Sequence, residues 1–134
     1  LLFPAAPVIH AIRSAPATCW SIFAAYLPDS SACFTALEDI AHYHAAHVAL
    51  MHHWAATCDP PVVECRYERL VSEPEPVVRS LLAACGLEWA QDCLAPQDGG
   101  LAVTTASVDQ VRSPIHRGAI DRHQRYGRHL GPLR

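Results

Sequence analysis

Two residues eight positions apart, Arg13 and Ser21, form the first pair that could do chemistry. A guanidinium grips a phosphate through two parallel hydrogen bonds, and a nearby hydroxyl can add a third. Arg13 closes a short apolar run and Ser21 follows in the next segment, an arrangement equally at home in a protein that binds nothing. The second group is Arg66-Tyr67-Glu68. A Tyr at a strand end can lean on an aromatic base or sit half-buried, and the Glu can cap the turn that follows. The third is the tail, Thr104-Thr105-Ala106-Ser107, then Arg112-Ser113-Pro114-Ile115, then Arg117-Gly118. Gly lets backbone approach a ligand closely, and Arg117 beside it could pair with a phosphate or simply stand in water. The fourth is a run of histidines, His42, His44, His47, His52 and His53. His44 and His47 are three apart and share a helix face. Metal sites use such spacing, but no Glu or Cys completes a zinc motif, and ordinary histidines account for the run as well.

The elements that must position these groups follow from hydrophobic period and turn residues. Residues 7–12, Pro-Val-Ile-His-Ala-Ile, read as a buried strand. Ser14, Pro16 and Thr18 mark a helix start, and that helix is expected to run to about Tyr26. A long helix is expected over residues 35–57. Leu37, Ile40, Ala41, Val48, Met51 and Trp54 give it a core-facing stripe. Residues 62–65 read as a second strand, followed by a loop at 72–76. A helix from 76 to 85 then closes at Gly86. Residues 91–104 read as loop, 107–111 as a short helix and 119–130 as a final helix. Strands alternating with helices predict an α/β fold with a parallel sheet. Two strands make a poor sheet alone, so further strands are expected to flank them.

Composition narrows the class. The chain has 134 residues, 51% hydrophobic and 17% charged, which suits one globular domain. No apolar run reaches the roughly 20 residues of a membrane span. Net charge is −3 and the basic residues are ten Arg with no Lys. A GC-rich coding sequence produces that bias, and bidentate phosphate binding also uses it. The negative balance, with aromatics not interleaved among the Arg residues, argues against a nucleic-acid module. Six cysteines at irregular spacing, with no CxxC, read as free thiols in a reducing cytoplasm.

Taken in order, these pieces resemble the sulfotransferase superfamily, in particular bacterial proteins with tetratricopeptide repeats ahead of the sulfotransferase domain. Val8-Ile9-His10 through Ser21 is similar to that family's 3′-phosphate motif. Leu37-Glu38-Asp39-Ile40 to Trp54 is similar to its long helix. Cys65-Arg66-Tyr67-Glu68-Arg69-Leu70-Val71 to Pro74-Glu75 resembles its RYEDLV…PE segment, and Cys85-Gly86-Leu87-Glu88-Trp89 continues it. Thr105-Ala106-Ser107 to Ile115 resembles its tail.

The resemblance implies a P-loop-NTPase-like three-layer fold, a parallel sheet flanked by helices. Residues 1–134 would be the C-terminal portion of one sulfotransferase domain, with the N-terminal part upstream. It implies a co-substrate, 3′-phosphoadenosine 5′-phosphosulfate (PAPS), no metal, and transfer of a sulfonate to a hydroxyl or amine of an unknown acceptor. Arg13 and Ser21 would hold the 3′-phosphate. Tyr67 and Thr105 would lie near the adenine, and Arg117 and Gly118 would close on the cofactor. The family's Gly-rich 5′-phosphosulfate loop and its general base are expected upstream of Leu1, so this segment alone is expected to be inactive. The sequence departs from the family in three places. Arg13 is followed by Ser14-Ala15-Pro16-Ala17 rather than Asp-Pro-x-Asp, Arg69 replaces an Asp, and His123 stands where Trp is common. The alternative is a degenerate domain that binds a nucleotide or a protein without catalysis.

Overall fold

The computed structural model describes residues 5–25, 34–60, 62–95 and 114–133. Its spine is two parallel strands, β1 (Ile9–Ile12) and β2 (Val63–Arg66). They pair in the register Ile9↔Val63, His10↔Glu64, Ala11↔Cys65 and Ile12↔Arg66. Parallel strands need a long crossover, here two helices, α1 (Ala15–Ala25) and α2 (Leu37–Thr57). After β2 come α3 (Tyr67–Ser72), α4 (Pro74–Ala84) and 3-10 turns at Gln91–Leu94, Arg122–His129 and Gly131–Leu133. This is a mixed α/β arrangement, a small parallel sheet flanked by helices, as expected from a piece of a sulfotransferase-like fold.

Local chemistry explains several boundaries. Pro74 opens α4 at a position where its missing N–H costs nothing. Gly86 closes α4 in the left-handed region, φ 67°. That turn lets Leu87 N–H donate to the Leu82 carbonyl at 2.9 Å and Gly86 N–H to that of Ala83 at 3.1 Å. A side chain at Gly86 would be strained whatever the space around it.

The core is small. Ala17, Cys19, Ile40, Cys65, Val71 and Leu130 are buried, and they lie where α1 meets α2, on β2, on α3 and in the C-terminal turns. Burial pushes the Cys19 thiol up, toward the neutral form. The five described cysteines are free, and Cys33 lies outside the described residues.

Four expectations need correction. The first strand is not buried: Val8 and Ile9 are 51% and 42% exposed, because β1 has a strand on one side only among the described residues. The stripe on the long helix does not all face a core, for only Ile40 is buried and Trp54 is 45% exposed. Helix α2 has 21 residues against 11 in α1, about 31 Å against 16 Å, so its C-terminal half outruns its partner. The loop at 72–76 shrinks to Glu73. Residues 67–72 are helical instead, and six residues are too short to display a helical period. The final helix is a run of 3-10 turns over Arg122–His129. Its sequence carries an interior glycine and little to bury apart from Tyr126, so nothing favours a longer α-helix. The expected helix at 107–111 lies outside the described residues.

Candidate functional site

Both parallel strands end at the same edge of the sheet, and ligands of open α/β sheets bind beyond such carboxyl ends. Arg13 stands one residue past β1 and Tyr67 one residue past β2. The register Ile12↔Arg66 makes them neighbours. The Arg13 guanidinium lies over the Tyr67 ring, 4.7 Å from its centroid. At that distance the cation is attracted by the face of the ring. Tyr67 therefore first acts as a seat for Arg13, a relation the linear sequence does not display.

The C-terminal segment crosses the same edge. Arg13 Nη2 donates to the Ala119 carbonyl, next to Gly118. Arg117 Nη2 donates to the Ser72 carbonyl at 2.7 Å, which anchors the segment to the last residue of α3, where helix carbonyls lack partners. Gly118 N–H donates to His116 Nδ1 at 3.2 Å. Further along, the Tyr126 ring stacks on Trp20 of α1 at 5.0 Å and 24°. Arg13, Tyr67, Arg117 and Gly118 thus belong to one edge of the fold, although 104 positions separate the first from Arg117.

One donor in this group is unspent. Arg13 Nε is buried and has no hydrogen-bond partner among the described residues. A buried guanidinium N–H without an acceptor costs free energy, about 1–3 kcal/mol or more for a charged group. An oxyanion at that position removes the cost.

The amide end of α1 is arranged differently from the sequence expectation. Glu68 Oε1 accepts from Ser14 N–H at 2.9 Å. The carboxylate that could have capped the turn after it instead reaches across 54 residues and occupies the amide that precedes α1.

Ser21 is exposed on α1. It lies one turn beyond Thr18, so the two share a side of the helix, and about 9 Å along the axis from Ala15. An anion bridging Arg13 and Ser21 would have to fill the space between a long Arg side chain and the hydroxyl. Thr105 lies outside the described residues.

Thr18 and Arg13 also line a cleft of about 250 Å³ between the sheet and α2. His10 and Ile12 point to one face of β1, and their register partners Glu64 and Arg66 point the same way. From α2 come His44, His47, Val48, Met51 and His52. This explains the incompletely buried stripe: Val48 and Met51 wall a cleft. Burial, with His47 nearby, lowers the pKa of His44 below the ordinary imidazole value. Among the described residues, no three His, Cys, Asp or Glu side chains converge as metal ligands. Among the same residues, no helix is long and apolar enough to cross a membrane.

A model described as the sulfotransferase family matches residues 1–91, the segment carrying β1, α1, α2, β2, α3 and α4. An uncharacterized protein of Aquifex aeolicus (strain VF5) is 36% identical over 137 residues, covering 99% of this chain and 18% of that relative. The chain therefore spans less than a fifth of the length of the curated relative it matches.

Proposed function

This chain belongs to the sulfotransferase family, and on that premise we propose that it holds the nucleotide end of PAPS for sulfonate transfer by the full-length protein. In that reaction the acceptor's oxygen or nitrogen forms a bond to the donor sulfur. The bond from sulfur to the bridging phosphate oxygen breaks, and adenosine 3′,5′-bisphosphate leaves. The acceptor loses a proton to a base.

The observation that carries the reading is Arg13: a guanidinium at a strand tip, seated on Tyr67, with a buried Nε that lacks an acceptor among the described residues. In this reading it grips the 3′-phosphate, with Ser21 supplying a hydroxyl from the far side. Tyr67 fixes the guanidinium plane on one face of its ring. Arg117 and Gly118 bring the tail over the nucleotide, and Thr105 lies beside the adenine. Such a site contributes position and fixed positive charge, the main protein terms in transferring an anionic group. No metal enters this proposal.

A site of this kind discriminates between nucleotides by the 3′-phosphate alone. The full-length protein is expected to bind adenosine 3′,5′-bisphosphate at least about 30-fold more tightly than adenosine 5′-phosphate, the worth of one well-paired anion. Calorimetric titration of both nucleotides checks this. Equal affinities would remove the 3′-phosphate role, and no binding of either would favour a degenerate domain.

A further inference from the structure

The cleft between the sheet and α2 is not used by the nucleotide reading, apart from Arg13 at its end. Its unusual feature is a pair of imidazoles from different elements. His10 Nε2 on β1 and His47 Nε2 on α2 are 3.1 Å apart, with ring centroids 5.2 Å apart and planes at 68°. That spacing fits one shared hydrogen, with one ring donating and the other accepting. Protonating the accepting ring would leave two N–H groups and one added positive charge at the same gap, a conflict relieved by an oxyanion that accepts from both.

The remaining charged and titratable groups facing the pair are all in view. Strand β1 adds Arg13. Helix α2 adds His44 about one turn before His47 and His52 about one and a half turns after. Strand β2 adds Glu64 and Arg66, which face each other at 3.9 Å and offset one another. Helix α1 contributes the uncharged Thr18. Fixed charge in the cleft is therefore positive, through Arg13, and the facing imidazoles set ring nitrogens beside it. At about 250 Å³ the cleft has room for a charged group and the ring that carries it.

We propose that this cleft is a proton-linked anion site, and that its ligand is a carboxylate or sulfate group carried by the sulfonate acceptor. Naming the ligand as the acceptor rests on the sulfotransfer reading; the anion site itself rests on the facing imidazoles. Binding parts the two ring nitrogens to admit an oxyanion between them and draws in a proton. Affinity for an acidic acceptor then rises as pH falls, while affinity for the nucleotide does not follow the same pair.

The test uses inorganic sulfate and the full-length protein, saturated with adenosine 3′,5′-bisphosphate so that sulfate cannot report on the nucleotide's own phosphate site. Calorimetry at pH 6 and pH 8, in buffers of different ionisation enthalpy, reads affinity and proton uptake together. Sulfate is expected to bind about tenfold more tightly at pH 6, with net proton uptake, as histidine linkage requires. His47→Gln and His10→Gln should each abolish the uptake and weaken sulfate at pH 6 by about tenfold. Both should leave bisphosphate affinity within about twofold and circular dichroism unchanged, since His47 is exposed on its helix. Sulfate binding that ignores pH, or that survives both substitutions, overturns the site. If bisphosphate itself fails to bind, the nucleotide reading falls, and the same titrations without nucleotide still decide the cleft through the two histidine variants.

Discussion

Replacing Arg13 with Ala is expected to weaken binding of adenosine 3′,5′-bisphosphate by about 100-fold, two charge-assisted hydrogen bonds at ~1.5 kcal/mol each. The proposal gives this residue the largest single share because its geometry is already arranged for an anion. The guanidinium sits over the Tyr67 ring, 4.7 Å from its centroid, one nitrogen is committed to the Ala119 carbonyl, and Nε is buried with no partner among the described residues. Arg13→Lys separates charge from shape. It keeps the positive charge but loses the flat fork that both the ring and the phosphate use, so it is expected to recover only part of the loss, remaining about tenfold weak. The Ala119 contact introduces a structural role, since removing the guanidinium also frees the tail. Comparing the two nucleotides in the variant resolves this. A loosened tail weakens adenosine 5′-phosphate and the bisphosphate alike, whereas loss of the 3′ contact brings the bisphosphate down to the monophosphate's affinity. Calorimetric titration of both nucleotides on each variant is the measurement.

The second large effect concerns stability. Ile40→Ala is expected to cost about 3 kcal/mol, within the range for deleting a fully buried branched side chain and leaving a cavity. Ile40 is completely buried on α2, facing the layer in which Ala17 and Cys19 of α1 are also buried. Few side chains in the described residues are buried to this degree, so few neighbours are available to collapse into the space. A domain's whole stability is typically ~5–15 kcal/mol, which makes this one substitution a large fraction of it. Leu50→Ala provides the contrast on the same helix. Leu50 is 50% exposed, and its truncation is expected to stay within about 0.5 kcal/mol. Urea unfolding of the full-length protein and both variants reads the two midpoints. A midpoint for Ile40→Ala equal to that of Leu50→Ala would mean that the α1–α2 layer does not anchor this part of the molecule.

What could be read from the residues alone divides along a physical line. Elements set by local chemistry were legible. The strand at Ile9–Ile12, the helix opened by Ser14 and Pro16, the long helix and the glycine stop at Gly86 all follow from period, Pro and Gly. Elements whose state depends on distant partners were not. Tyr67–Ser72 is helical although six residues show no periodicity, and Arg122–His129 settles into 3-10 turns because its sequence offers no apolar face. The same line runs through the site. Arg13 and Tyr67 stood out as ends of apolar runs, and the parallel pairing of those runs makes them neighbours. That Tyr67 would serve as the seat of Arg13, and that Glu68 would reach the Ser14 amide, depends on register between strands more than 50 residues apart. The histidines of α2 were visible as a cluster, but their facing partner His10 comes from the sheet, and only the tertiary arrangement sets the two imidazoles nitrogen to nitrogen.

Phosphorus-31 resonance on adenosine 3′,5′-bisphosphate reports its two phosphates separately, and so tests the strand-tip cradle without any assumption about the acceptor. On binding to the full-length protein the 3′-phosphate signal is expected to shift, and in Arg13→Ala that shift is expected to vanish while any 5′-phosphate shift persists. A 3′ signal that does not move on binding, or that moves equally in the Arg13→Ala variant, would contradict the assignment of this arginine to the nucleotide's 3′ anion.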